Sequence, residues 1–176
     1  MSLPVNFNAI LVASFIPMII GLLWYSPIIM GLTYKTALDE GDFDGKKRSS
    51  LLNQKPITLI IVSIICGFLI AFNLSSITIH QMGIGSTLLG EPGFDKGEGE
   101  AFELMKTFME KYGHKFRSFG HGALHGAISA CTYIMPILGL ITLREGRSFK
   151  YFLVHALYWL LCLALMGGLI CYWPVA

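Results

Sequence analysis

Charge is what this sequence lacks. Only 14% of its 176 residues are Lys, Arg, Asp or Glu, against about a quarter in a soluble domain. The shortage is local: none of the four types occurs over 1–34, 56–90, 118–143 or 151–176. Four charge-free stretches separated by three charged ones form a membrane pattern. A net charge of +2 gives no sign of nucleic acid as a partner.

Other absences narrow the function. Cys66, Cys131, Cys162 and Cys171 all fall in apolar stretches and form no Cys-x-x-Cys pair. They indicate neither a disulfide framework nor a zinc finger, and read as small buried hydrophobes. The N-terminus lacks a basic segment, and its apolar run extends past the length of a signal peptide, so it reads as a retained span. Glu40, Asp42, Asp44 and Gly45 begin like an EF-hand, but Leu51 stands where the closing Glu is required. Residues 83–90 are glycine-rich without the Gly-Lys-Ser/Thr of a P-loop. There is no Ser-His-Asp order and no His-Glu-x-x-His. The sequence therefore gives no positive sign of an enzyme.

What is present is length. Apolar runs over 9–31, 57–79, 119–143 and 151–173 each give a helix of about 35 Å, enough to cross a hydrocarbon core of about 30 Å. Lipid cannot satisfy a bare backbone, so each run must be helical. The fold class is an all-α integral membrane protein, one domain over 1–176, built as a four-transmembrane-helix bundle. Pro17 and Pro136 lie inside spans one and three and should kink them. Trp24 and Tyr25 close span one, and Tyr172 and Trp173 close span four, where they read as interface anchors at the headgroup level.

The second loop divides. Its glycine-rich stretch 83–99 should be irregular. Over 100–113, Ala101, Leu104, Met105, Phe108, Met109 and Tyr112 recur at helical spacing between charged residues. This predicts a short amphipathic helix, lying on the membrane surface or packed as a lid over the helix ends. A turn is expected around Asp42 to Gly45.

Loops one and three carry Lys35, Lys46, Lys47, Arg48, Lys55, Arg144, Arg147 and Lys150. Loop two carries Lys96, Lys106, Lys111, Lys115 and Arg117. The excess places loops one and three in the cytoplasm and both termini outside.

Five histidines stand out in a chain so poor in charge. His121 and His125 are four apart and share one helix face, a spacing used to bind metal. His80 ends span two on the same side of the membrane. Asn73 precedes it at helical spacing. His80, His121, His125 and Asn73 thus form a candidate ligand or metal site, with a divalent metal the only cofactor suggested. The alternative is that each histidine caps, snorkels or bonds to a neighbouring helix. His155, one turn into span four, shares a face with Tyr158, Trp159 and Cys162 and reads as an interhelical hydrogen bond, an anchor or a second polar pocket. Gly122, Gly126 and Ala130 repeat every four residues, and span four offers Gly167 and Gly168. Small residues so spaced allow close helix packing, within the bundle or between protomers.

The stretch Gly21-Leu-Leu-Trp-Tyr-Ser-Pro27, followed by Gly31, resembles the signature of a family of small bacterial membrane proteins designated DUF1761, a domain of unknown function. Asn6 and Asn8, His125-Gly126, Ala156-Leu-Tyr-Trp159 and Met166-Gly-Gly168 extend the resemblance over all four spans. The family commonly has Asn where this chain has His155. The resemblance implies a four-helix protein of the bacterial cytoplasmic membrane and no particular activity.

Three functions are open to such a chain. It could be a structural or interaction protein that forms a homo-oligomer or accompanies a larger membrane complex, using the small-residue faces. It could be a small transporter or channel with a polar path along spans two and three. It could bind a metal or ligand through His80, His121 and His125. The sequence favours the first; no acidic residue lies inside any span, which counts against the second.

Overall fold

A computed structural model describes residues 6–39 and 56–174. The Asp42–Gly45 turn and the EF-hand-like run lie outside the described residues. Helices and turns account for the described chain, and no strand occurs among these residues. Four helical spans are long and apolar enough to cross a membrane: Phe7–Trp24, Pro56–Thr78, Phe119–Arg144 and Phe149–Tyr172.

Span one is two helices, α1 (Phe7–Ala13) and α2 (Ile16–Trp24). The break at Ser14–Phe15 follows from Pro17, which has no N–H and whose ring crowds the carbonyl four residues earlier. The break has a partner across the bundle. In α4 (Pro56–Thr78), Gly67 packs so closely on the Ser14 carbonyl that a Cβ there would collide with it.

Span one stops at Trp24, seven residues short of the expected end at 31. Pro27 is the physical cause. It cannot donate to the Leu23 carbonyl, and the Ser26 hydroxyl donates there instead, at 2.6 Å. The chain then turns, with Met30 N–H bonded to the Trp24 carbonyl and Gly31 N–H to the Ser26 carbonyl, both at 2.9 Å. A Cβ on Gly31 would lie 2.5 Å from the Tyr25 carbonyl oxygen, so the turn needs glycine there. A helix not expected from hydropathy follows, α3 (Gly31–Asp39), which packs on span four and buries Ala37 and Leu38.

The glycine-rich stretch after span two also differs from expectation. It forms α5 (Gln81–Leu88) despite Gly83 and Gly85. The amphipathic segment is helical as expected, α6 (Glu100–Tyr112). Its main partner is α5, where buried Met105 reaches toward the bare backbone of Gly85. Tertiary packing on α6 outweighs the glycine penalty of roughly 1 kcal/mol per residue in α5.

Span three comprises α7 (Phe119–Ser129), a π-helical turn (Ala130–Ile134) and α8 (Met135–Arg144). The wide turn contains Thr132, whose carbonyl would otherwise meet the Pro136 ring. Span four is one uninterrupted helix, α9 (Phe149–Tyr172), capped at Ser148 by its own hydroxyl. It is the axis of the bundle: half of its most apolar window is buried, against 28% or less in the other three. Its closest neighbour is α7. A Cβ on Gly122 would collide with the Gly167 carbonyl, and one on Gly126 with that of Leu163. Gly168 lies under the Phe119 ring, and Ala130 is fully buried in the core. The small-residue faces of spans three and four therefore meet each other within one chain.

Candidate functional site

Three segments bring the histidines together. His80 sits at the junction of α4 and α5. Ser118 opens α7 by accepting the His121 N–H on its side chain, which places His121 in the first turn and His125 one turn further along the same face. One ligand nitrogen from each of His80, His121 and His125 lies within 4.8 Å of the others. The Nε2 atoms of His80 and His121 are 3.0 Å apart, close enough to share a proton. The ring centroids are 4.6 to 5.0 Å apart. His80 is exposed and the other two are half-buried.

His125 is the informative member. Its backbone carbonyl accepts the Ser129 hydroxyl, but its ring has no hydrogen-bond partner among the described residues. It faces the other two imidazoles instead, with ring centroids 4.9 Å from His80 and 4.6 Å from His121.

The surroundings hold the site in shape. The Phe116 ring stacks on His121 at 5.0 Å and meets His80 edge-on at 5.9 Å. Phe116 has φ of +64°, a conformation that costs a bulky residue energy and marks positions fixed by their surroundings. Its carbonyl accepts the Cys171 thiol at 3.3 Å. Gln81, beside His80, is buried, and its amide nitrogen lies 2.9, 3.3 and 2.8 Å from the carbonyls of Tyr112, Gly113 and Lys115. One side chain thereby caps the end of α6 and ties the 113–117 loop to the histidine that precedes it. Phe116 reads from the sequence only as an aromatic flanking the start of span three, and Gln81 belongs to no periodic pattern that would have singled it out.

Asn73 is elsewhere. It is exposed and lines a groove with Ser129 and Tyr133 among aliphatic side chains of spans two and three. Trp24 and Tyr25 are half-buried and engage span four: Trp24 Nε1 donates to the Val154 carbonyl at 3.1 Å, and the Tyr25 hydroxyl lies 2.7 Å from His155 Nδ1. Tyr34 and Tyr151 pack around the same imidazole, with ring centroids 5.5 and 4.5 Å from it. Burial raises the Tyr25 phenol far above its ordinary value near 10, so it stays a neutral hydroxyl. His155 Nε2 is buried with no hydrogen-bond partner. Tyr172 is exposed, and Trp173 is half-buried with its carbonyl accepting Arg117 at 3.0 Å.

These contacts give the resembling motif a physical meaning. Trp24-Tyr25 docks span one onto span four, and Ser26-Pro27 with Gly31 makes the turn that follows. A family profile described as "protein of unknown function (DUF1761)" matches residues 8–171, nearly the whole chain. The chain belongs to the DUF1761 family. No curated protein and no solved structure matches it.

Proposed function

We propose that this DUF1761 protein is a membrane protein that binds a metal ion through His80, His121 and His125. The observation that carries the reading is the third imidazole, His125, held within ligand distance of a pair that already satisfies itself. Tetrahedral zinc with nitrogen ligands at about 2.05 Å spaces those nitrogens about 3.3 Å apart. The nitrogens here are 3.0 Å apart in one pair and within 4.8 Å overall, so small side-chain rotations suffice. Imidazole suits zinc, copper and nickel better than magnesium or calcium. The Lys/Arg distribution supports placing this end of the bundle outside the cell.

The other two readings have less to rest on. Association through small residues needs free faces, and those of Gly122, Gly126 and Gly167 are occupied within the chain. A polar path along spans two and three needs continuity. The groove that holds Asn73 and Ser129 is walled by Leu69, Ile70, Leu74, Ile77 and Leu163.

The deciding experiment is native mass spectrometry of protein purified without chelators, beside the His121→Ala/His125→Ala variant. A metal's mass on the wild type, lost from an otherwise folded variant, is expected. Equal masses after incubation of both with zinc, copper or nickel would refute the reading.

A further inference from the structure

We propose that the three-histidine centre accepts an organic anion with an apolar tail. The head is held at the metal and Lys115, and the tail lies in the aromatic cavity alongside. This inference rests on the metal-binding reading above and names the ligand class of that site.

Charge comes first. Neutral imidazoles bring no negative charge, and no carboxylate belongs to the cluster. A divalent ion held there keeps its full charge, which is then the largest local charge in the site. The Lys115 ammonium adds to it. It lies 5.4 Å from the Phe116 ring centroid and 5.8 Å from that of Tyr112, and it has no carboxylate partner among the described residues. Three protein ligands leave at least one coordination position open on a tetrahedral ion, and the exposure of His80 leaves room to reach it. An anion is the ligand that balances such a site.

Shape supplies the tail. A cavity of about 440 Å³ has His80 in its wall, together with Ile84, Phe108, Tyr112, Lys115 and Phe116. One cation, one imidazole and the Gln81 amide, whose nitrogen is already bonded to the Tyr112 and Lys115 carbonyls, stand among aliphatic and aromatic surfaces, which is the composition of a site for an amphiphile rather than an inorganic ion. Phe116 joins the two halves, because its ring contacts both His80 and His121 and also faces the cavity. The wall is preorganised by the Gln81 and Cys171 contacts that fix the 113–117 loop, so little ordering remains to oppose binding.

The test uses cobalt(II), whose visible bands report changes of coordination. Full-length protein in detergent is loaded with cobalt and titrated separately with octanoate, acetate and octan-1-ol. Octanoate should shift the bands, with half-saturation at least tenfold below that of acetate. Octan-1-ol should leave them unchanged. Lys115→Met should weaken octanoate about tenfold while cobalt affinity stays within twofold. If cobalt binds, and is lost in His121→Ala/His125→Ala, but octanoate has no effect or acts no better than acetate, the ligand assignment falls and the metal site stands. If the wild type holds no cobalt, both fall.

Discussion

At the scale of single residues, position in the fold assigns different work to chemically similar groups. His125 and His155 are both half-buried imidazoles on span helices. His155 has a hydrogen-bond partner in Tyr25, whereas the ring of His125 has only other imidazoles and no hydrogen bond among the described residues. Tyr25 offers a pH-dependent check. Its phenol is raised by burial in the folded chain, while the unfolded chain ionises near pH 10. Below pH 10 both states are neutral and the contribution to stability is constant. Above it only the unfolded state ionises, so stability falls as pH rises. Tyr25→Phe should flatten that loss between pH 9.5 and 11.5 in thermal unfolding followed by circular dichroism. An unchanged slope would show that Tyr25 ionises freely in the folded protein.

Helices meet here by subtraction of side chains. Where α7 crosses α9, the backbone of each occupies the space that a Cβ on the other would fill, and no rotamer change can relieve such a clash. Gly126→Leu should therefore cost more than the usual overpacking loss of about 1–3 kcal/mol, giving little monodisperse protein on size exclusion. Gly120 stands on the same helix with open space around it. Gly120→Ala should be neutral or stabilise by roughly 0.5–1 kcal/mol through chain entropy. Equal behaviour of the two variants would count against the packing described. The same comparison separates intramolecular packing from association, because a variant impaired only in association would stay folded as a smaller species.

The whole molecule is a bundle around α9 with a polar centre at each end. The histidine cluster joins the α4–α5 junction to α7, so a metal bound there ties span two to span three, a pair otherwise less extensively packed than α7 on α9. A ligand that binds only the folded state stabilises it by about 2.7 kcal/mol at a concentration of 100 times its dissociation constant. Zinc should raise the melting temperature of the wild type and not that of His121→Ala/His125→Ala. His155→Ala should keep the zinc response, because it belongs to the other centre. Loss of the response in His155→Ala would mean that the two ends are coupled through α9.

Much of this protein is determined by its sequence alone, for a simple reason. Lipid permits few backbone solutions, so charge-free runs of the right length specify spans two, three and four to within two residues at either end. The four-residue spacing of His121 and His125 likewise specifies a shared face, since the helix period is local. The family resemblance rests on local motifs and holds over residues 8–171. What the tertiary structure decided is non-local. Hydropathy shows no difference between an apolar residue in a span and one in a turn, so the end of span one at Trp24 depended on where Pro27 sent the chain. Glycine spacing cannot reveal whether its partner is another helix of the same chain or a second copy, and here it is the same chain. Gln81, Phe116 and the cavity beside His80 arise because distant segments converge, which no periodicity records.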